Sequence, residues 1–404
     1  MKHMTILAVI VLMFGVVGFT QAQDALPVFC GDLADADCEI LQQNQQAMQT
    51  LESFAFALTA DFSISNIPDM PEAVSFGITG DGAVTGDMAS LHRSPEDMMA
   101  LATDPEAYAN YMTSVIEAFD LDLSLVLNMP QALVEETGGE MPSTLPLNVV
   151  LADGVGYIDL STLRDAVGEA GESFPEGWYG IDLSELVTQM MAMSDAMGSM
   201  DAMSAMDPSM FSQFTDPAFV GRFMTIERLE DTTAADGAAV ASFHMSIDYA
   251  ALMSDPAVQE LIAESMTAQG ATLSEEEMAQ MQTMMSEMFQ NITLEIFTTV
   301  GLDDFYTRST QVTMNFDMQS MMAMAAEMGD NADMEGPAPV LMFNAVVTNS
   351  SFNEVAEIVA PENATIIPLE SLGMMGDMSV SEPAVAVTVE AAEPMMQPTE
   401  TPAK

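Results

Sequence analysis

Long stretches of the chain alternate apolar and polar positions, and this period of two predicts strands with one apolar face. The clearest stretch is Ser53–Ser65, and Val74, Phe76 and Ile78 begin a second. The apolar positions of the first stretch are Phe54, Phe56, Leu58, Ala60, Phe62 and Ile64. A predicted turn at Pro68-Asp69-Met70-Pro71 joins the two stretches, so we expect two long antiparallel strands.

The same alternation predicts further strands in both halves of the chain. In the first half they are Leu121–Leu127, Leu145–Leu151, Val155–Leu160 and Trp178–Leu183. In the second half they are Phe223–Leu229, Ala239–Tyr249, Ile292–Val300, Phe305–Phe316 and Val340–Val347. Tight turns are predicted at Asp153-Gly154 and Gly301-Leu302-Asp303-Asp304, and we also expect Gly80-Asp81-Gly82 in a hairpin turn.

Helical periodicity fills the intervals between these strands. Asp37–Leu51 is predicted to be a helix with Asp37 as its N-cap, and Ser94-Pro95-Glu96 is predicted to start a helix that reaches Phe119. Further predicted helices are 184–214, 256–267 and 274–289. Helices grouped between long strands indicate an α+β fold, in which a large curled antiparallel sheet, or half-barrel, has helices packed on its concave side.

The N-terminus has the pattern of a secretory signal peptide. A short basic start precedes the apolar run Ile6–Phe19, about 14 residues long, and small residues follow up to Ala22. We predict cleavage after Ala22 and a secreted or periplasmic/cell-surface location, with no transmembrane segment in the mature chain; an uncleaved anchor is the alternative. The predicted organisation is a signal peptide at 1–22, a disulfide hook at 23–37, a half-barrel domain at 38–375 and a disordered acidic tail at 376–404.

Cys30 and Cys38 are the two cysteines of the chain. In an exported protein, an even pair at short range predicts one structural disulfide, which here closes a small hook. A redox pair and a metal site are the alternatives, but the first prefers closer spacing and the second prefers nearby histidines. Phe29 precedes the first cysteine, and so bulky a residue argues against attachment of a lipid there.

The charge of the chain restricts its partners. Its 62 acidic residues against 7 basic residues give a formal charge of −55. Such a charge repels nucleic acid and anionic membrane surfaces, so we expect neither as a partner. It supports weak, diffuse cation binding, whereas a calcium loop needs a denser run of oxygen ligands around a turn glycine. Because 49% of the residues are hydrophobic, the composition is not that of a disordered chain.

Several segments resemble a known family. They are the hairpin Asp153–Leu160 with the strand Gly177–Leu183, the helix-to-strand passage Ala47–Phe54, the hairpin Leu294–Phe316 and the closing segment Ala360–Ala364. Together they resemble the LppX/LprG-type lipoproteins and, more distantly, the LolA-like carriers. The resemblance implies an antiparallel half-barrel with helices over its open side and a cavity for lipid acyl chains. The lipid-anchor cysteine of that family is absent here, which weakens a membrane-tethered role, and the family has no catalytic residues to transfer.

The alternating apolar positions are the candidates to line a ligand cavity, with ordinary core packing as the alternative. They are Phe54, Phe56, Leu58, Phe62, Ile64, Val74, Phe76, Ile78, Met245, Ile247, Ile292, Leu294 and Ile296. A methionine-rich stretch supplies the candidates for a lid, which are Met190, Met193, Met197 and Met200. Methionine suits a surface that adapts to irregular ligands, and the alternatives are plain packing or a Cu(I) thioether site.

No group of residues has the spacing of a catalytic site. His92 and His244 lack a Ser, Cys or metal-ligand partner at a recognisable distance, and there is no phosphate loop, nucleophile elbow or dinucleotide fingerprint. We therefore expect no enzyme activity and no cofactor. The sequence predicts a secreted, non-catalytic carrier or binding protein for lipid or another long apolar ligand. The alternatives are an extracellular structural or interaction module with a filled core and a Met-rich copper-binding protein.

Overall fold

The strands form one large open sheet. The computed structural model describes residues 28–66, 73–88, 101, 104–136, 142–168, 171, 174–189, 217–260, 289, 291–318 and 338–369. Within them, thirteen strands make a single curled, unclosed sheet that is accompanied by helices. The fold is therefore α+β, as the alternating pattern predicts. The predicted signal peptide at 1–22 and the predicted tail at 376–404 lie outside the described residues.

The elements follow the predicted strands closely. The strands are β1 (Ser53–Ser65), β2 (Val74–Gly86), β3 (Phe119–Asn128), β4 (Thr144–Ala152), β5 (Val155–Asp159), β6 (Trp178–Asp182), β7 (Met224–Arg228), β8 (Thr232–Thr233), β9 (Ala239–Ile247), β10 (Ile292–Gly301), β11 (Thr307–Asp317), β12 (Val340–Ser350) and β13 (Thr365–Ile366). The helices are α1 (Asp35–Gln49), α2 (Pro105–Ala118), α3 (Gln131–Glu136), α4 (Leu160–Val167), α5 (Pro217–Val220) and α6 (Tyr249–Ser254). Residues 183–189 and 256–260 are also helical.

Two meanders meet at the centre of the sheet. Strands β1 to β6 are neighbours in chain order on one side, and β12, β11, β10, β9 and β7 follow on the other side, with β8 beside β9. The central pair is β1 with β12, from Ala55 opposite Ser350 to Ser65 opposite Val340. The pairing of β13 with β6 is parallel, whereas the other pairs between described strands are antiparallel.

The register gives the sheet one apolar face and one polar face. Directly opposite residues point to the same side of a sheet, so Phe62 shares a face with Phe76 and Phe343. We call this the apolar face, and the two longer helices, α1 and α2, pack on it. The outer face has mainly small and polar residues, and there the Asn344 Oδ1 accepts hydrogen bonds from Gln311 at 3.0 Å and Thr313 at 3.2 Å.

Part of the outer face is covered by the segment that follows β12. Ile358, Ala360 and Ala364 of this segment pack against a cluster formed by Val150, Ala152 and Tyr157, with Trp178 beside them. The segment then continues into β13, which pairs with β6. Helix α4 also contacts this side, where the Asn148 Nδ2 donates to the Thr162 hydroxyl at 3.4 Å. Helices therefore pack on both faces, with α1 and α2 on the apolar face and α4 on the outer face.

Asp37 is not the N-cap that the sequence pattern predicted. Helix α1 begins at Asp35, and its N-cap is Ala34, which makes no side-chain cap hydrogen bond. The Asp37 carboxylate instead accepts from the Arg228 Nε at 3.1 Å, across 191 residues of chain. The prediction was wrong because a capping pattern considers only neighbouring residues, and Arg228 is distant in sequence.

Gly80-Asp81-Gly82 lies in the middle of β2 rather than in a hairpin turn. A Cβ at Gly80 would lie 2.5 Å from the Leu125 Cδ2, and one at Gly82 would lie 2.6 Å from the Phe56 ring. These glycines are therefore needed for close packing, because neighbouring side chains occupy the space above them. The predicted turn at Asp153-Gly154 is confirmed, with φ of 53° and 77° at its two residues.

The other differences between the predicted and the observed elements concern short elements and the ends of longer ones. Tyr249 begins α6 instead of ending β9, because the Asp248 side chain caps the helix by accepting from the Ala251 N–H at 2.8 Å. Helix α4 was not predicted, although Asp159 caps it by accepting from the Ser161 N–H at 3.0 Å. Strand β13 was also missed, since two residues are too few to show an alternating pattern.

Candidate functional site

All of the predicted cavity residues lie on the apolar face. Across the centre of the sheet, one row of directly opposite residues runs Phe76, Phe62, Phe343, Met314, Leu294, Ile247 and Met224. The next row runs Val74, Ile64, Leu341, Phe316 and Ile292. The remaining candidates lie further along the same strands, at alternate positions on the same side. Their role in lining a ligand cavity stays a prediction.

One end of the apolar face contains a buried cluster in the first meander. Val84 and Leu151 are buried there beneath Ile116 of α2, Met88 and Val187, and they form one cluster. Phe54, Phe56 and Leu121 pack against this cluster from the sheet side. We call this end of the face, where β1 begins and β12 ends, the capped end.

The N-terminal hook covers the capped end in the second meander. Ala241, Phe243 and Val300 are at most 1% exposed, and with Ile226 they form the most deeply buried cluster of the described chain. The covering side chains come from the hook and from α1, and they are Phe29, Leu33, Ile40 and Leu41. The hook is therefore part of the packed fold and not an appendage to it.

Covalent and polar contacts fix the hook in place. Cys30 and Cys38 form the predicted disulfide, with 5.4 Å between their Cα atoms. Arg228 binds Asp37 of α1 and Asp231, and its guanidinium lies 5.1 Å from the centre of the Phe243 ring. Further along α1, the Asn44 Nδ2 donates to the Phe305 carbonyl at 2.7 Å. These contacts lock α1 against the second meander.

At the opposite end, the apolar side chains are packed less completely. Every residue of the two central rows described above is half-buried, and none of them belongs to the buried core. The longer row spans seven strands, or about 29 Å at the usual strand spacing of about 4.8 Å. We call this region the half-buried end. It contains Phe62, Phe76, Phe316 and Phe343, so its side chains are as large as those of the capped end.

Small residues lie between the two ends. Ala60 is opposite Ala345 in the central strand pair, and both are buried. On the neighbouring strand, Gly80 and Gly82 have no side chain on this face. The side chains of the apolar face are therefore shortest near the middle of β1 and β2. The ring of Phe56 and the side chain of Leu125 fill part of the space that this leaves.

A small cluster borders the half-buried end beside β7 and β9. Phe219, Phe223 and Val258 are its buried members. Arg222 binds the carboxylate of Asp255, whose side chain is 4% exposed, and its guanidinium lies 5.4 Å from the centres of both phenylalanine rings. Because the charge of Asp255 is nearly buried, Arg222 is its necessary counter-ion.

Two tyrosines differ in what surrounds their phenol groups. Burial raises the pKa of Tyr249, which lies on α6 with its ring stacked on Phe289 at a centroid distance of 6.4 Å. Burial also raises the pKa of Tyr157 on the outer face, and the nearby negative charge of Asp153 raises it further. Both phenols therefore resist ionisation in the folded protein.

The described histidine, His244, lies on the opposite side of the sheet from the apolar face. His244 lies half-buried on the outer face, where its ring stacks on Phe297 at a centroid distance of 4.5 Å and its Nε2 is 3.8 Å from Glu295. His92 lies outside the described residues. So do the lid candidates Met190, Met193, Met197 and Met200, so both their lid role and a copper site stay predictions.

The described residues contain neither a group of metal ligands nor a membrane-spanning helix. No group of three or more His, Cys, Asp or Glu side chains in that part of the chain is arranged to hold a metal ion. Among the helices that the structure describes, none is both long and apolar enough to cross a membrane.

Sequence reasoning missed part of the apolar face. The rows include Phe343 and Leu341 of β12, Phe316 and Met314 of β11, and Met224 of β7, which were not among the candidates. The signal for them was present, because these residues occupy the alternating apolar positions of strands that the sequence did predict. Their connection to the candidates depends on which strands are neighbours, and only the pairing of β1 with β12 reveals this.

Comparison with known proteins does not decide the function of this chain. No protein family and no curated protein matches the chain. The crystal structure of a LolA superfamily protein from Nitrosomonas europaea is similar to 77% of this chain and 90% of its own, at 8% sequence identity and a TM-score of 0.14. So low a score leaves the function to be argued from the apolar face itself.

Proposed function

We propose that the protein is an exported, non-catalytic carrier or binding protein for a lipid or another long apolar molecule, which lies on the half-buried end of the apolar face. The observation behind this proposal is the pair of half-buried rows, from Phe76 to Met224 and from Val74 to Ile292. Side chains of this size are normally buried when they form a core. A contiguous half-buried apolar surface is typical of a binding site.

The shape of the site suits a long ligand better than a compact one. The longer row extends about 29 Å across the strands. The second row lies about 7 Å from it, measured along the strand direction. A flexible chain fits such a broad, shallow strip because it can follow the curl of the sheet. The LppX/LprG-type resemblance in the sequence implies the same ligand class, and membership of that family is part of this proposal.

Export is supported by the hook. The Cys30–Cys38 disulfide forms and persists in oxidising compartments. The predicted signal peptide at 1–22 would deliver the chain to such a compartment. We therefore propose a secreted or periplasmic/cell-surface location.

The test is whether purified protein holds an apolar ligand on this face. Native mass spectrometry with lipid extraction detects a co-purifying ligand, and titration with the dye N-phenyl-1-naphthylamine measures binding to emptied protein. We expect Phe62→Ser combined with Phe343→Ser to weaken dye binding at least tenfold, or about 1.4 kcal/mol. Met342→Ser is the matched control, because Met342 lies on β12 but on the outer face, where it is 51% exposed.

Two negative results together would refute the proposal. If no apolar molecule co-purifies and the dye does not bind saturably, the face is a filled core, and the protein is a structural or interaction module. Circular dichroism of the double variant separates lost binding from lost folding. Equal losses in the Met342→Ser control would show that the dye reports general apolar surface and not this site.

A further inference from the structure

The chain contains three Asn-x-Ser/Thr sequences, which begin at Asn291, Asn349 and Asn363. In an exported protein such a sequence is an acceptor for N-linked glycosylation when it lies on the surface. The fold places the three asparagines differently, so it decides which of them an enzyme can reach.

Two of the three asparagines are held within the sheet. The Asn349 Nδ2 donates to the Thr307 carbonyl at 3.0 Å, and the Asn349 Oδ1 is buried. Asn291 is half-buried and directly precedes β10, a strand with partners on both sides. An enzyme can therefore reach these two amides only after the strands have locally opened.

Asn363 lies instead in an exposed turn of the segment that follows β12. The turn is closed by the Ala364 N–H, which donates to the Pro361 carbonyl at 3.4 Å. Asn363 has a φ of 61°, a conformation that asparagine tolerates in turns. Both Asn363 and Thr365 of this sequence are exposed. The amide and the hydroxyl that a transferase recognises are thus accessible without opening the fold.

The surroundings of Asn363 are an open edge of the sheet. Strand β13 is the last strand at this end, so its outer edge has no partner among the described strands. Val359 and Ile366, which are 68% and 49% exposed, lie four residues before and three residues after Asn363. An open strand edge beside exposed apolar side chains favours association between copies, and a bulky polar group at Asn363 opposes it.

We infer that Asn363 is the acceptor site for an N-linked glycan that shields this edge of the sheet. In the reaction, the Asn363 amide nitrogen bonds to C1 of the first sugar of a polyprenyl-diphosphate-linked oligosaccharide. The bond between C1 and the diphosphate oxygen breaks, polyprenyl diphosphate leaves, and the nitrogen loses one proton. The inference rests on the exported location in the proposed function but not on the ligand, because this segment packs on the outer face.

The first test asks which asparagine is modified in the folded protein. Unglycosylated protein, exported by a host that lacks an oligosaccharyltransferase, is incubated with a purified transferase that reads Asn-x-Ser/Thr and with its lipid-linked donor. Mass spectrometry after peptide-N-glycosidase digestion locates the glycan. We expect a glycan on Asn363 and none on Asn291 or Asn349, whereas short peptides around all three asparagines should be modified.

Variants at the third position of the sequence provide the controls. Thr365→Ala should lose the glycan, and Thr365→Ser should keep it, because the hydroxyl is retained. Thr293→Ala is the matched control at the Asn291 sequence and should leave the glycan on Asn363 unchanged. Circular dichroism of each variant separates a lost acceptor from a lost fold.

Three outcomes overturn the inference. It fails if Asn363 stays unmodified in the folded protein while its peptide is modified. It fails equally if Asn291 or Asn349 is modified as fully as Asn363. A chain that the host retains with reduced cysteines overturns the exported location and this inference together, whereas an exported chain without modification at Asn363 overturns the inference alone.

Self-association tests whether the glycan shields the edge. At about 1 M salt, where the charge of the chain no longer keeps copies apart, the glycosylated protein should associate less than the unglycosylated protein in analytical ultracentrifugation. Val359→Ser with Ile366→Ser should reduce the association of the unglycosylated protein in the same way. Equal association of all three proteins would refute the shielding.

Discussion

The two ends of the apolar face have similar side chains but different packing. Phe243 at the capped end is 1% exposed, whereas Phe62 and Phe343 at the other end are half-buried. Both ends lie on the same sheet, so the difference comes from the segments that pack on each end. At the capped end, α1, α2 and the disulfide hook supply apolar side chains that complete the core. An alternating strand pattern thus fixes which face is apolar but does not fix how deeply that face is buried.

Truncation of one phenylalanine at each end tests this comparison directly. We expect Phe243→Ala to lower the free energy of unfolding by about 3–5 kcal/mol, because it leaves a cavity in a packed core. Phe62→Ala should cost only about 1–2 kcal/mol, because its side chain is already partly exposed. Urea denaturation of both variants provides the measurement. Equal costs would mean that the half-buried end is an ordinary core.

Removal of the disulfide tests how firmly the hook closes the capped end. Cys30→Ser with Cys38→Ser should lower the free energy of unfolding by about 2–3 kcal/mol, because the unfolded chain gains the entropy of an open loop. Binding of N-phenyl-1-naphthylamine should rise at the same time, since a loosened hook uncovers the cluster around Phe243. The reduced wild-type protein is the control and should match the variant. An unchanged denaturation curve would show that contacts of α1 alone hold the cap.

Loss of the ion pair between Arg222 and Asp255 should have a smaller effect on the free energy of unfolding. Arg222→Gln should cost about 1–2 kcal/mol, because Asp255 keeps a nearly buried charge without its partner. The cost is below that of a fully buried pair, since the Arg222 side chain is 49% exposed. Arg164→Gln is the control, and we expect no measurable change because its partners Asp165 and Glu176 are exposed. Thermal unfolding at low and high salt distinguishes the two.

The smallest expected effect concerns alkaline pH. The folded-state pKa values of Tyr249 and Tyr157 are raised, so the folded protein keeps protons that the unfolded chain releases above about pH 10. Stability should therefore be intact below pH 10 and fall as pH rises through the raised pKa values. Tyr249→Phe and Tyr157→Phe should each flatten this fall in pH-dependent denaturation. Identical curves for wild type and both variants would contradict the direction of the shifts.

The sequence predicted the fold best where apolar residues recur at every second position. Ser53–Ser65 and the first residues of Val74–Gly86 could be predicted as strands because apolar residues alternate there, and the register places Phe62 opposite Phe76. The capped and half-buried ends could not be distinguished in this way. Phe56 and Phe62 occupy equivalent positions in the same pattern, yet only Phe56 packs against the buried cluster of α2. That difference depends on distant segments.

Contacts between residues that are distant in sequence could not be predicted either. Asp37 looked like a helix cap because only its neighbours were visible, whereas its partner Arg228 lies on β7. Gly80 and Gly82 looked like turn residues because glycine is common in turns. Their true neighbours, Leu125 and Phe56, lie on adjacent strands. The cysteine pair was predicted correctly because its partner is close in sequence.

The pairing of β1 with β12 has a consequence for the order of folding. Ala55 and Ser350 are opposite each other at the centre of the sheet, although roughly 300 residues of chain separate them. The middle of the sheet therefore forms only after almost the whole chain has been synthesised, and contacts of this separation fold slowly. Until then, β1 is an unpaired edge with phenylalanine at alternate positions, which is a template for aggregation. The outer edge of β1 therefore stays open until the last long strand, β12, has been synthesised.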